Sequence, residues 1–86
     1  MIVTYGRVFK KMLQKQPIVT QEKFYSRLAL FLENTHHPLL GNHALNGKWE
    51  GCRSINITGD IRAVFEEIDS EHVDFVDIGT HSELYS

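Results

Sequence analysis

The chain has a single cysteine, Cys52, among its 86 residues. One thiol excludes an internal disulfide and a zinc site built from several cysteines, and it fits a reducing compartment. Long apolar runs are also missing, since no stretch approaches the roughly 18 residues that a membrane-spanning helix needs. The N-terminus lacks the charged and then apolar segments of a secretory signal. We therefore expect a soluble, unprocessed chain without membrane association.

Basic residues are scarce in the second part of the chain, although the formal net charge is only −2. Residues 1–53 contain eight Lys or Arg and three Asp or Glu, which gives +5, whereas residues 54–86 contain one and eight, which gives −7. The net charge argues against a generic nucleic-acid binder. The basic residues of the first part either bind a polyanion or form a charged helix surface that only contacts water. The length and the 42% of hydrophobic residues predict one globular domain, 1–86, with a small core.

Apolar residues at helical spacing predict two helices in the first part of the chain. Ile2 and Val3 are too few for more than an edge strand. Thr4 is placed to cap a first helix that ends at Pro17, and Thr20 to cap a second helix that starts near residue 21. The residues predicted to face the core are Tyr5, Val8, Phe9, Met12 and Leu13, followed by Phe24, Leu28, Phe31 and Leu32.

The second part of the chain is predicted to form strands. Residues 35–50 contain Pro38, two glycines and three histidines without periodicity, which is typical of a long surface loop with a function. Alternating apolar residues then predict strands at about 51–58, 61–68 and 72–78, joined by tight turns.

These elements, in the order βααβββ, predict an α+β fold in which two helices lie on an antiparallel sheet. Residues 81–85 are too few for more than one helical turn. The core is predicted to contain Phe9, Leu13, Phe24, Leu28, Phe31, Ile55, Val64, Phe65, Val73 and Phe75.

Histidines are the first candidates for reactive groups. His36 and His37 are adjacent and therefore point apart, and no third ligand follows at a recognisable spacing, so we expect no metal site. His72 lies in a predicted turn and is expected to be a solvated surface residue. His43, in the glycine-containing loop, and His81, directly after a strand, lie where reactive side chains are often found.

Three further residues have a structural explanation beside a functional one. Asp60 follows Gly59 in a predicted turn and is explained by turn formation alone. Trp49 fits a rim anchor of the core as well as a platform for a base. The structural explanation of Arg62 is a cross-strand ion pair with Asp60, which is worth a few tenths of a kcal/mol.

Taken together, three segments resemble a known family. The run H-A-L-N-G-K-W-E-G-C-R at 43–53 is followed by G-D-I-R-A-V-F at 59–65 and by D-I-G-T-H-S-E-L-Y at 77–85. This combination resembles the RelE/ParE superfamily of toxins from type II toxin-antitoxin modules, and within it the YafQ-like mRNA interferases. The similarity covers residues 42–85, about half of the chain. It implies a RelE-like fold with two helices on a curved antiparallel sheet, and metal-independent mRNA cleavage in the ribosomal A site without a cofactor.

The family's site residues correspond to particular positions of this sequence. Its loop histidine corresponds to His43, its hairpin aspartate to Asp60, its C-terminal histidine to His81, and the aromatic residue four positions later to Tyr85. Arg62 matches a hairpin arginine that is common in RelE-like relatives.

Three residues depart from the YafQ-like pattern. Asn56 stands where the family has a second histidine, and an amide cannot transfer a proton. Ile61 replaces an aromatic residue, and Asp77 replaces an arginine. Arg62 is therefore expected to supply the positive charge that residue 77 does not.

RNA cleavage by the RNA's own 2′-hydroxyl needs a base, an acid for the departing 5′-oxygen, and a cation for the phosphate. Imidazoles suit proton transfer near pH 7 because their unperturbed pKa is about 6.5. We predict that His81 is the acid and that His43 or Asp60 is the base, with Arg53 or Arg62 holding the phosphate. The other residues predicted to bind or position RNA are Lys48, Trp49, Asn56 and Tyr85.

The resemblance also implies partners and leaves alternative functions open. We expect a cognate antitoxin, the ribosome and mRNA as cytoplasmic partners. The antitoxin is expected to wrap the basic helices and to assemble with the toxin as a heterotetramer or larger complex. The alternatives are ParE-like inhibition of DNA gyrase without nuclease activity, and a catalytically inactive relative. The basic residues predicted to meet the antitoxin are Lys10, Lys11, Lys15, Lys23 and Arg27.

Overall fold

The computed structural model describes residues 1–85, which form five strands and three helices. Two single 3-10 turns, Pro38–Leu40 and Gly47–Trp49, interrupt the long connection that was expected to be an irregular loop. The strands and helices are β1 (Ile2–Tyr5), α1 (Arg7–Gln14), α2 (Ile18–Glu33), β2 (His43–Ala44), β3 (Cys52–Asn56), β4 (Ile61–Asp69), β5 (His72–Thr80) and α3 (His81–Tyr85).

The strands form one sheet in the order β1-β5-β4-β3-β2. The predicted α+β class and the order of two N-terminal helices followed by three long strands are confirmed. The expected antiparallel sheet is wrong at one edge, because β1 pairs parallel with β5 and the sheet is mixed. The two helices carry the chain from β1 to β2 at the opposite edge of the sheet, and β3, β4 and β5 then return antiparallel until β5 lies beside β1. The short strand β2 adds an unexpected antiparallel partner for β3.

The main core lies between the helices and one face of the sheet, and every predicted core residue is buried. Phe75 is its centre, since its ring centroid lies 5.2–6.2 Å from those of five other aromatic rings. Val8 and Leu32, which were also expected on the buried stripes, are 55% and 50% exposed. Each lies about 100° around its helix from a buried phenylalanine, and a single sheet covers only one side of the helix.

The start of α1 differs from the predicted one. Tyr5 is the last residue of β1, and the N-cap position is Gly6, so Thr4 does not cap the helix. The amide of Gly6 donates to the carbonyl oxygen of Phe75 at 2.9 Å, which extends the pairing of β1 with β5 to the helix start. This long-range pairing overrides the local capping preference of Thr4.

The start of α2 also differs. Pro17 occupies the N-cap position, and its carbonyl oxygen accepts hydrogen bonds from the amides of Thr20 and Gln21 at 2.9 and 3.0 Å. Thr20 therefore lies inside the helix rather than at its cap. Proline suits the helix start because the first amides of a helix have no intrahelical acceptor.

A second, smaller core covers the other face of the sheet. Leu45, Val64 and Leu84 are buried there. Val64 points away from the helices because side chains alternate along a strand. Val76 also packs on this second core because it alternates with Phe75 of the main core, and a register shift between β4 and β5 leaves it without a strand partner. The short helix α3 sits on this face, and the candidate site is formed beside it.

His72 is not the solvated turn residue that its position suggested. It is the first residue of β5, and its Nε2 lies 2.9 Å from the hydroxyl of Thr4 in β1. The same hydroxyl donates to the carboxylate of Asp74 at 2.5 Å, so His72 Nε2 must be the donor in the other bond. This side-chain cluster joins the two parallel strands.

Within residues 1–85, no helix combines the length and apolar character needed to cross a bilayer.

Candidate functional site

Two adjoining pockets lie on the sheet face that carries the second core. The inner pocket has a volume of about 90 Å³ and forms where β2, β3 and β4 meet α3. The outer pocket, of about 340 Å³, forms at the β3-β4 turn. Arg62 and His81 line both. The remaining inner-pocket residues are His43, Leu45, Ser54, Val64, Leu84 and Tyr85, and the remaining outer-pocket residues are Gly59, Asp60, Thr80 and Ser82.

His43 reaches the inner pocket because β2 pairs with β3, where His43 stands opposite Ser54. Its Nδ1 lies 2.8 Å from the carbonyl oxygen of Gly41. A carbonyl only accepts, so Nδ1 carries the proton and Nε2 of the neutral ring has the free lone pair. Gly41 has a φ of +53°, and a Cβ at this position would lie 2.5 Å from Nδ2 of the Asn56 side chain. The local backbone thus favours glycine and orients the imidazole.

His81 and Tyr85 lie on one face of α3, one turn apart, with ring centroids 4.7 Å apart. The helix start is stabilised by a capping box. The amide of Glu83 donates to the hydroxyl of Thr80 at 3.1 Å, and the amide of Thr80 donates to the Glu83 carboxylate at 2.7 Å. The T-x-x-E pattern was present in the sequence and would have predicted this helix start.

Trp49 anchors the other end of α3. Its indole nitrogen donates to the carbonyl oxygen of Leu84 at 2.8 Å, and its ring packs against the second core. The Leu84 side chain is only 3% exposed. This arrangement agrees with the rim-anchor explanation of Trp49, because the polar end of the indole is already used within the protein.

Arg62 is held at the turn between β3 and β4. Its Nη1 donates to the carbonyl oxygens of Thr58, Gly59 and Ile61 at 3.0, 3.1 and 3.2 Å. These bonds fix the guanidinium beside both pockets. The turn's backbone, rather than the Asp60 carboxylate, therefore orients Nη1.

Asp60 lies at the same turn and lines the outer pocket. The turn is closed by Thr58, whose hydroxyl accepts from the amides of Asp60 and Ile61 at 3.2 and 3.0 Å. In the part of the chain that the structure describes, the Asp60 carboxylate has no hydrogen-bonding role in this turn. Turn formation alone therefore does not account for its carboxylate.

Four of the residues predicted to bind RNA do not line either pocket of the described chain: Lys48, Trp49, Arg53 and Asn56. Arg53 lies on the opposite face of β3 from Ser54, and its Nε donates to the side chain of Asn42 at 2.8 Å. Asn56 stands opposite Arg62 in the sheet. Lys48 is exposed, with its Nζ 5.6 Å from the centroid of the Trp49 ring.

Cys52 packs against the second core beside the site. Burial raises the pKa of its thiol, and the nearby carboxylate of Glu66 raises it further. The thiol is therefore protonated at neutral pH and is a poor nucleophile. Across residues 1–85, no three histidine, cysteine or acidic side chains are grouped to bind a metal ion.

Several pocket residues escaped the sequence reasoning. The sequence predicts Leu45 in a loop, Val64 in the main core and Leu84 in a terminal turn. In the structure these three residues form the apolar floor of the inner pocket. The sequence predicts Ser54 only as part of a strand. Its alternation with buried Ile55 was the available signal that it faces the opposite side of the sheet.

The fold and the pocket define a small α+β protein of the RelE/ParE type. A model of the YafQ family, described as bacterial toxins of type II toxin-antitoxin systems, matches residues 3–86. The chain therefore belongs to the YafQ family and is a type II toxin, which confirms the resemblance seen in the sequence. No curated protein matches the sequence.

Solved structures show the same fold at low sequence identity. YafQ from E. coli strain BL21(DE3) superposes with a TM-score of 0.77 at 20% identity, covering 98% of this chain and 97% of that one. A YoeB/ParE toxin from Agrobacterium tumefaciens gives 0.76 at 16% identity, covering 94% and 99%. The toxin of the E. coli DinJ-YafQ complex gives 0.70 at 20% identity, covering 98% and 97%. At such identities the likeness concerns the fold alone.

Proposed function

We propose that this toxin cleaves mRNA on the ribosome, using its own side chains as base, acid and phosphate clamp. The observation that carries the proposal is the meeting of His43, Arg62 and His81 at one pocket, although they lie on three different elements. An inhibitor that acts only by binding has no need of two imidazoles and a guanidinium at one pocket.

The arrangement supports a transesterification. The Nε2 lone pair of His43 takes the proton of the ribose 2′-hydroxyl, and the 2′-oxygen forms a bond to the adjacent phosphorus. The bond from phosphorus to the 5′-oxygen breaks, and His81 donates a proton to that oxygen. Arg62 neutralises the charge that develops on the phosphate. The products are a 2′,3′-cyclic phosphate and a 5′-hydroxyl, and these groups perform the reaction without a metal ion.

Asp60 is the alternative base. It lines the outer pocket together with Arg62 and His81. His43 is favoured because its hydrogen bond to Gly41 fixes the tautomer that a base requires. In this arrangement Asp60 lies on the leaving-group side and orients His81 or the RNA.

The departures from the family pattern are accommodated by this geometry. Oδ1 of Asp77 accepts a hydrogen bond from the amide of Ile78 at 2.8 Å, and Arg62 lines the pocket. Most of the acidic charge after position 53 lies at least four residues beyond Arg62 along the β4-β5 hairpin, which is roughly 13 Å or more away. Five of the eight acidic residues after position 53 belong to this part of the hairpin: Glu66, Glu67, Asp69, Glu71 and Asp74.

Inducing the toxin in cells and mapping mRNA 5′ ends during growth arrest tests the proposal. We expect new 5′ ends with the parent chain and none with His81→Ala. His36→Ala is the matched control, because His36 is exposed on the connection before β2 and only its backbone amide is hydrogen-bonded. His72→Ala is unsuitable, since it removes the bond to Thr4. Intact mRNA with DNA damage would indicate gyrase inhibition, and no arrest would indicate an inactive relative.

A cognate antitoxin is the proposed partner of this cytoplasmic toxin, by analogy with the E. coli DinJ-YafQ toxin-antitoxin complex. Along α2, Ile18, Tyr25 and Leu32 form an apolar stripe with exposures of 67, 53 and 50%. The Nε of Arg27 is buried without a hydrogen-bond partner among the described residues. An amphipathic acidic segment of the antitoxin would cover the stripe and pair with Arg27 and the lysines of the two helices. Co-purification with the product of the neighbouring gene, lost at high salt, is the expected result.

A further inference from the structure

Ser54 is the one buried polar side chain in the described part of the chain, with an exposure of 4%. It lies on β3 between His43 of β2 and Val64 of β4, and all three line the inner pocket. Within residues 1–85 its hydroxyl makes no hydrogen bond to another protein group. The hydroxyl oxygen is not among the buried side-chain atoms of the described chain that lack a partner, so it opens into the pocket. The only such group in the pocket floor is thus available to a ligand.

The rest of the inner pocket indicates the kind of ligand. Leu45, Val64 and Leu84 supply apolar surface, and the half-exposed Tyr85 ring lies against the His81 ring. The volume of about 90 Å³ is about a quarter of that of the outer pocket. The inner pocket therefore suits one part of a ligand that continues into the outer pocket. Apolar walls, an aromatic rim and one hydroxyl that both donates and accepts suit the edge of a flat heteroaromatic ring.

We propose that the inner pocket is a nucleobase subsite and that Ser54 determines which base it accepts. The inference rests on the proposed nuclease function, since it assigns the pocket to a nucleotide beside the phosphate held by Arg62. The base enters edge first and its ring stacks on Tyr85. The Ser54 hydroxyl hydrogen-bonds to a ring nitrogen or an exocyclic group at the pocket floor. Ser54 takes no proton in the reaction and acts on specificity alone.

Mapping mRNA cleavage sites for the parent chain and for Ser54→Ala tests the proposal. One hydrogen bond corresponds to roughly a three- to ten-fold preference. We therefore expect the ratio of cleavage at favoured and disfavoured bases to fall by about that factor, while cleavage at formerly disfavoured bases persists. Ser54→Thr, which keeps the hydroxyl, should retain the preference. Ser26→Ala, an exposed serine of α2, is the matched control.

The outcomes separate this inference from the proposed function. An unchanged site preference, or an equal fall in rate at every site, overturns the role of Ser54, because a merely structural defect acts on all sites alike. If the parent chain cleaves no mRNA, the nuclease proposal fails, and the subsite is read from NMR titrations with AMP, CMP, GMP and UMP instead. Selective binding that Ser54→Ala abolishes supports the subsite. Equal binding of all four, or no binding, overturns it.

Discussion

Trp49→Phe is expected to loosen α3 without unfolding the protein. A five-residue helix is not stable by itself, so α3 depends on its capping box, on burial of Leu84 and on the hydrogen bond from Trp49. Phenylalanine keeps an aromatic ring against the second core but loses the N–H group that donates to the Leu84 carbonyl. A net hydrogen bond contributes about 1 kcal/mol, which corresponds to roughly a five-fold change in an equilibrium constant. The open population of α3 should therefore rise about five-fold.

Amide hydrogen exchange measures this population directly. The Glu83 amide, which donates to Thr80, should exchange about five-fold faster, while amides of β4 keep their protection. Tyr25→Phe is the control, since it removes only the hydroxyl of an exposed aromatic residue on α2. If RNA cleavage is lost while exchange in α3 is unchanged, Trp49 acts on the RNA rather than on the helix, and the anchoring argument is refuted.

Three further perturbations test the packing and the backbone. Phe75→Ala should destabilise the fold by about 3–5 kcal/mol in urea unfolding, because the ring is fully buried among aromatic residues. Burial raises the pKa of Tyr5 above its ordinary 10.0. The unfolded chain therefore loses the Tyr5 proton at a lower pH than the folded chain, and stability falls as the pH rises above about 10. Tyr5→Phe should remove that part of the stability loss in thermal unfolding at alkaline pH. Gly41→Ala and Gly47→Ala share the cost of a positive φ, but only the former places a Cβ against Asn56, so only it should shift the NMR signals of the Asn56 side-chain amide.

The helical stripes were predictable because burial on α1 and α2 follows the helical period. Phe9 and Leu13, four residues apart, are buried as the pattern indicates. The start of α1 was not predictable from local sequence, since Tyr5 is drawn into β1 by pairing with a residue 70 positions later in the chain. His72 was misjudged for the same reason, because its partner Thr4 lies at the other end of the sequence.

The candidate site was predictable as a set of residue types but not as a place. The resemblance supplied His43 and His81, yet only the pairing of β2 with β3 shows that His43 lies opposite Ser54 at the same pocket as His81. Two side chains that were predicted to bind RNA lie away from both pockets. Arg53 alternates onto the opposite face of the sheet, and the Trp49 indole is committed to the Leu84 carbonyl.

The chemistry of the cleaved ends tests the central claim most directly. The chain should be induced, cellular mRNA isolated, and the new 5′ ends examined by ligation with and without prior phosphorylation by a kinase. Transesterification predicts 5′-hydroxyl ends, which are ligated only after phosphorylation, with 2′,3′-cyclic phosphates on the matching upstream fragments; His81→Ala should give neither. Fragments that carry 5′-phosphates and 3′-hydroxyls, or mRNA that stays intact during growth arrest, would contradict the account.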